Sequence, residues 1–213
     1  MVSSRARSRG LDALVARART LAAGPGRAVL GVAGSPGSGK TTLVTALAAA
    51  LGPVAAHVPM DGFHLADAEL ARLGRSGRKG AADTFDAGGY VALLRRLRAD
   101  AEDVVYAPAF ERELEQPVAG SIAVPRAARL VLTEGNYLLL DEPGWREVRA
   151  ELDEAWFCVV DDEVRRARLV ARHVEFGKTP AAAAAWVAAV DDPNAALIER
   201  TRPRADLLVT TPG

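Results

Sequence analysis

Ala28-Val-Leu-Gly-Val-Ala33 runs straight into Gly34-Ser-Pro-Gly-Ser-Gly39-Lys40-Thr41-Thr42, and this stretch decides the architecture. The first six residues are apolar and read as a short strand buried on both faces. Residues 34–41 fit G-x-x-x-x-G-K-[ST] in full. Behind them Thr41 to Leu51 is an apolar, Ala-rich helix stopped by Gly52-Pro53. Strand, Gly-rich loop and helix form the context in which this pattern has chemical meaning. The glycines let the backbone curl so that its amides point inward at phosphate oxygens, and the helix N-terminus adds partial positive charge. Lys40 is a point charge able to reach between β- and γ-phosphates, and Thr41 offers a hydroxyl to Mg²⁺. A Gly-rich turn with no ligand has no need of the lysine. Only three of the 27 basic residues are lysine (Lys40, Lys79 and Lys178), so each is expected where arginine fits poorly.

Outward from this stretch, strands and helices alternate. Upstream, Leu11, Leu14, Val15, Ala18 and Leu21 recur at helical spacing, predicting an N-terminal helix within residues 1–26 that ends at Gly24-Pro25-Gly26. The Arg- and Ser-rich Ser3 to Arg9 reads as a frayed basic tail leading into it. Downstream, Val54 to Pro59 is a second strand. Residues 61–89 are a polar, Gly-rich excursion with at most one short helix, and such long loops are usually functional or mobile. Tyr90 to Ala99 is a helix, Asp103 to Ala107 a strand, and Phe110 to Val124 a hairpin or loop around Pro117 and Gly120. Arg129 to Thr133, Ala155 to Val160 and Asp206 to Thr210 are strands; Pro143 to Leu152 and Glu163 to Phe176 are helices. Thr179-Pro180 and Asp192-Pro193 each place a cap residue before a first-turn proline and open two more helices. The pattern predicts an α/β fold: one domain over residues 1–213, with a mostly parallel five-stranded sheet and helices on both faces.

Composition narrows the function. With 49% hydrophobic and 25% charged residues the 213-residue chain is an ordinary globular protein, not a disordered or coiled-coil one. The longest apolar stretch, Leu43 to Ala56, is broken by Gly52-Pro53 and falls short of the roughly 20 residues of a membrane span. Zero formal charge weakens any nucleic-acid role, so neither nucleic acid nor membrane is expected as a partner. Yet the first 60 residues carry seven basic groups against one acid, Asp12, which suits a negative ligand near the N-terminal third. The single cysteine, Cys158, cannot form an internal disulfide; it reads as core, and the default compartment is the cytoplasm.

Two carboxylates stand at strand ends, where open α/β sheets place their ligands: Asp61 after Met60, and Glu134 between Thr133 and Gly135. Phosphoryl transfer needs a metal to neutralise charge and a group to deprotonate the acceptor, and one acid serves each need. Either could instead merely cap a loop. His64, in Asp61-Gly-Phe-His64, can hydrogen-bond substrate or stabilise its loop, while His57 within its strand reads as core. Lys79, in Arg78-Lys79-Gly80, belongs to a solvated loop or to a cover over the acceptor. On the helix from Glu163, Val164, Ala167, Val170, Ala171 and Val174 share one face. Arg165, Arg168 and Arg172 lie within roughly a 60° arc away from it, at about 100° per residue. That row is either a solvated face or a lid, over residues 163–180, that clamps the transferring group.

At these motifs the chain resembles the phosphoribulokinase/uridine kinase superfamily of P-loop kinases, over nearly its whole length after about residue 10. Gly34 to Thr42, Met60-Asp-Gly-Phe63 and Thr133-Glu-Gly-Asn136 match in kind and order. Arg78-Lys79-Gly80 with Asp83-Thr-Phe-Asp86, and Thr201-Arg202 with Arg204-Ala-Asp206, resemble type I pantothenate kinase and the short bacterial nucleoside/nucleotide kinases. The resemblance implies a three-layer P-loop NTPase sandwich with a helical lid. It also implies an ATP- and Mg²⁺-dependent kinase acting on a hydroxyl of a nucleoside, a pantothenate-like molecule or a sugar. On that reading the catalytic residues are Lys40, Asp61, Glu134 and Arg168. The nucleotide is held by Gly34, Ser35, Gly37, Ser38, Gly39, Lys40, Thr41 and Thr42, with Arg172 and Arg202. Thr41 and Glu134 hold the metal, and Asp61, Phe63, His64, Lys79 and Tyr137 meet the acceptor. Relatives are often dimers or tetramers, so a homodimer is an expectation. Two features depart from the pattern: the chain is much shorter than type I pantothenate kinases, and Pro108-Ala-Phe-Glu-Arg112 lacks the Tyr and His that follow the equivalent strand in several relatives. The alternative is a nucleotide-binding regulatory ATPase or GTPase without an acceptor. The guanine-reading N-K-x-D motif that a GTPase needs is absent, because no lysine follows an Asn.

Overall fold

A computed structural model describes residues 7–8 and 10–211. Apart from the backbone of Arg7–Ser8, the basic tail lies outside the described residues. The strands, in chain order, are β1 (Arg7–Ser8), β2 (Ala28–Ala33), β3 (Ala55–His57), β4 (Val104–Glu111), β5 (Gln116–Pro125), β6 (Leu130–Gly135), β7 (Glu154–Val159) and β8 (Leu207–Thr210). The helices are α1 (Leu11–Ala22), α2 (Lys40–Leu51), α3 (Asp67–Arg72), α4 (Ala87–Ala99), α5 (Arg146–Ala150), α6 (Asp162–Glu175), α7 (Pro180–Trp186) and α8 (Asp192–Glu199).

Five strands pair in parallel in the order β3-β6-β2-β7-β8, and the two-residue β1 extends the edge beyond β8. The central strand is the one quoted first. Its successive residues are buried on opposite faces, so the sheet has two cores. Leu30 and Val32 pack with Val44, Leu47 and Leu51 of α2 and with Leu14, Val15 and Ala18 of α1. Val29 and Ala33 pack with Tyr90, Leu94 and Leu97 of α4 and with Val148 of α5. These are the helices on both faces. Strands are added on one side of β2 and then on the other, so the loop that follows it opens at the switch point of the sheet, between the ends of β6 and β7.

Three readings need correction. The strand expected at 103–107 exists but leaves the main sheet: β4 and β5 form a separate antiparallel hairpin. Its turn lies at residues 112–115, not around Pro117 and Gly120. Phe110 pairs with Pro117, and Gly120 (φ 71°) falls in the irregularity opposite Pro108, which has no N–H for the ladder. Second, Asp192 does not cap a new helix. A π-turn over Val187–Asp191 carries α7 directly into α8, and the Asp192 carboxylate accepts instead from Arg165 and Arg166. Third, the apolar face assigned to α6 is largely in solvent, with Ala167, Ala171 and Val174 exposed. The buried residues are Arg165 and Leu169, because α6 turns its arginine side toward the loop after β2. A Cβ on Gly37 would lie 2.9 Å from the Arg165 carbonyl and 3.0 Å from Leu169 Cγ.

Candidate active site

A cavity of about 1200 Å³ runs along the carboxyl ends of the strands. One end is built by residues 34–42. Gly39 caps α2 in a left-handed conformation (φ 84°), and α2 opens with the motif lysine itself. The loop is tied down on several sides. Ser35 Oγ donates to Glu199 Oε1 at 2.7 Å, and Thr211 Oγ1 donates to the Ser38 carbonyl at 2.9 Å. Gly37, Gly39, Lys40, Thr41 and Thr42 line the cavity, whereas Gly34, Ser35 and Ser38 support the loop from behind.

Lys40 Nζ is buried and donates to the Ser35 carbonyl at 3.0 Å and to Asn136 Oδ1 at 2.8 Å. Thr41 Oγ1 donates to Glu134 Oε1 at 3.0 Å. Glu134 is aligned with Val32 of the central strand, which brings it beside the loop. Burial disfavours both charges, lowering the Lys40 ammonium and raising the Glu134 carboxyl; each partly offsets the other's shift, and Asp61 also acts on both. Burial raises the Cys158 thiol to about 12, as expected of an inert core residue.

Asp61 lies in the turn Met60–Phe63 that follows β3. That turn fits because residue 62 is glycine: a Cβ there would fall 2.3 Å from the Pro108 carbonyl oxygen. A buried chain fixes its height. Thr133 Oγ1 donates to the Val58 carbonyl at 2.6 Å, so Tyr90 donates to Thr133 across 2.5 Å. This links the strand ends carrying Asp61 and Glu134. Beyond Asp61 the wall is aromatic. His64 packs at a tilt between Phe85 (4.0 Å) and Phe110 (4.7 Å), and its Nδ1 lies 2.8 Å from the Asp61 carbonyl. Burial lowers the His64 imidazole. Lys79 lines this wall, held by Asp67 and the Glu115 carbonyl.

The cavity thus brings together Lys40, Thr41, Asp61, His64, Lys79, Glu134, Arg168 and Arg172. Arg168 Nη1 reaches the Gly37 carbonyl at 3.4 Å, whereas Arg165 of the same row is fixed by Asp162 and Asp192. Besides Gly34, Ser35 and Ser38, three further expected site residues are not on the cavity wall. Phe63 is partly buried and packs on Tyr90 (5.1 Å) at the margin of the core. Tyr137 is fully buried and its hydroxyl donates to the Gly80 carbonyl at 2.6 Å, tethering the excursion. Arg202 lies in the turn before β8, and Thr210 and Thr211 line the cavity there in its place. Asn136, Phe110 and Arg112 were not singled out as site residues, although each fell within a quoted segment; no spacing rule marked them. Among the described residues no group of three or more metal-ligating side chains occurs, and no helix is long and apolar enough to cross a membrane.

Known proteins share this architecture. Over 96% of this chain and 100% of its own, a Silicibacter sp. TM1040 structure titled "putative fructose transport system kinase" superposes with a TM-score of 0.84 at 38% identity. An Aspergillus versicolor ATP-dependent kinase-like protein, notR', is 41% identical over 59% of this chain and 77% of its own. A Schizosaccharomyces pombe protein named "Putative uridine kinase C227.14" is 36% identical over 78% of this chain and 74% of its own. The family model described as phosphoribulokinase/uridine kinase matches residues 29–212, from the central strand to the end of the cavity wall. A phosphate loop at the switch point, acids at two neighbouring strand ends and that match agree: the chain is a P-loop kinase and belongs to the phosphoribulokinase/uridine kinase family.

Proposed function

We propose that the chain is an ATP- and Mg²⁺-dependent kinase that transfers the γ-phosphoryl group to a hydroxyl of a small metabolite. The observation that carries this reading is a single cavity with the phosphate loop, Lys40 and Glu134 at one end and Asp61 before a ring-lined wall at the other. An ATPase without an acceptor has no use for the second end.

The loop amides and Lys40 hold the phosphates, and Lys40 meets the charge that develops on them. Asp61 orients the acceptor hydroxyl and takes its proton as the new O–P bond forms and the bond to the β-phosphate breaks, an effect worth about 10²–10⁴-fold. Thr41 and Glu134 are hard oxygen donors 3.0 Å apart. They suit Mg²⁺, which binds through one or two protein oxygens and completes its shell with water and phosphate. When bound, the ion supplies charge neutralisation. Arg168 and Arg172 on α6 exclude water from the transferring group.

The test is ADP release with mass spectrometry of products over uridine, cytidine, nicotinamide riboside, pantothenate and several sugars, using wild type and Asp61→Asn. An acceptor that gains one phosphoryl group with wild type and not with Asp61→Asn is expected. Tight ATP binding with no product from any acceptor would instead favour a non-catalytic binder.

A further inference from the structure

Resting on the kinase reading above, we infer that the acceptor carries an anionic group, a carboxylate or a phosphate monoester, and that Arg112 at the hairpin turn recognises it.

The acceptor wall carries two cations against one ring. Lys79 Nζ lies 5.4 Å and Arg112 Cζ 5.1 Å from the Phe110 centroid, and both residues line the cavity. They come from separate elements, the excursion and the β4–β5 turn, which the fold brings together beside Asp61. Lys79 is secured by Asp67 and the Glu115 carbonyl. Arg112 is not secured in that way. Its one hydrogen bond among the described residues runs from Nη2 to Asp61 Oδ2 at 3.3 Å, a long contact between side chains 54% and 33% exposed. An ion pair so open to water is worth little and exchanges readily.

The identity of that partner matters. Asp61 is the group that must accept the acceptor's proton, and here it faces a guanidinium instead. A guanidinium matches two oxygens of a carboxylate or phosphate at once, which a single 3.3 Å contact does not use. An acceptor bearing such a group takes Arg112 into a paired contact and leaves Asp61 to the hydroxyl, so recognition and readiness of the base become one event. A neutral polyol leaves the Arg112–Asp61 pair in place. A site built to pair a charge rejects the analogue that lacks it, because its own polar groups are then left wrongly matched. The nucleotide does not account for these cations. Its phosphates have Lys40, Arg168 and Arg172, whereas the hairpin packs chiefly on the Met60–Phe63 turn and α4.

Two measurements test this and fail separately from the kinase reading. In the first, the phosphate loop is saturated with Mg²⁺ and a non-hydrolysable ATP analogue, and inorganic phosphate or acetate is titrated into wild type and Arg112→Gln. The substitution is expected to weaken binding of the second anion by at least about tenfold, and the better-bound probe says which anion is preferred. Equal binding by both proteins overturns the anion site, whatever the kinetics show. In the second, acceptors are compared as matched pairs: pantothenate with its alcohol, gluconate with glucitol, ribose 5-phosphate with ribose. Turnover is expected to favour the charged member by about 100-fold or more in kcat/KM. Arg112→Gln is expected to remove that preference through KM, with partial rescue by Arg112→Lys. Neutral members turned over as well as charged ones overturn the inference and leave the kinase standing. No product from either member, with second-anion binding lost in Arg112→Gln, supports the anion site and counts against the kinase.

Discussion

The two ends of the cavity are built differently. The nucleotide end is one contiguous run, residues 34–42, joined by Glu134 from the neighbouring strand. Lys40 and Glu134 are buried there, and the loop is tied to the fold at Ser35 by Glu199 and at Ser38 by Thr211. The acceptor end is assembled from four segments: Met60–His64, residues 76–80, Phe85 and residues 110–115. Its charged groups are partly exposed, Arg112 pairing with Asp61 and Lys79 with Asp67 of α3. Binding phosphate needs backbone amides in one fixed curve, which a contiguous segment provides. Reading a particular acceptor needs side chains from several directions, and these can vary while the curve stays. On this view the first end sets the reaction and the second sets the substrate.

The largest effect expected from this division is at Lys40. Lys40→Ala removes the point charge on the phosphates and should lower phosphoryl transfer about 10³-fold for every acceptor alike, read by coupled ADP release. An effect confined to one acceptor would break the comparison. Two glycine substitutions sharpen it. Gly62→Ala drives a methyl to 2.3 Å from the Pro108 carbonyl, so the turn carrying Asp61 must separate from the hairpin. Its cost is about 1–3 kcal/mol of stability, and the acceptor KM should rise with the ATP KM unchanged. Gly37→Ala should do the reverse. Its φ of 78° and the Arg165 carbonyl at 2.9 Å strain the phosphate loop, raising the ATP KM and leaving the acceptor's. Steady-state kinetics with each substrate varied in turn separates the two.

What the sequence made legible follows the same division. The run 28–42 fixed β2, the loop and α2, because hydrophobic period and glycine chemistry are local. Asp61 and Glu134 were legible because strand ends are where open sheets gather ligands. Phe63 and Tyr137 stand off the cavity wall because an aromatic next to a motif acid faces site or core according to a turn geometry that spacing does not encode. On α6 Val174 is exposed and Arg165 buried, which the choice between a solvated arginine face and a lid left open. Periodicity finds the apolar stripe, but here an ion-pair network with Asp162 and Asp192 docks the helix by its polar side. Arg112 escaped because its site exists only once the β4–β5 turn meets the excursion.

A smaller effect concerns the link between the two ends. Tyr90→Phe removes the donor to Thr133 in the chain that ends at the Val58 carbonyl. Loss of one buried, neutral hydrogen bond should cost about 0.5–1.5 kcal/mol in urea denaturation. If the chain also sets the spacing of Asp61 and Glu134, kcat should fall more than either KM rises. An unchanged kcat would show that each end holds its geometry unaided.

The smallest effect lies at the edge of the sheet and tests whether the acceptor side is held as firmly as the nucleotide side. His57 ends β3, four residues before Asp61; burial lowers its imidazole, and its buried Nε2 has no hydrogen-bond partner among the described residues. The unfolded chain protonates this ring at its ordinary value near 6.5, while the folded chain does so only at lower pH. Between those values the unfolded state binds more protons, so acidification through this window removes stability, and stability rises again as pH increases. His64 is lowered too and contributes with the same sign. His57→Leu deletes one of the two contributions. Urea midpoints measured from pH 7.5 down to 5 should therefore fall less steeply for the variant than for wild type, with the curves closest to parallel above pH 7. Parallel curves throughout would mean that β3 opens enough in solution to hydrate His57. The strand leading to Asp61 would then be loose, and the acceptor end would be formed by its ligand as much as by the fold.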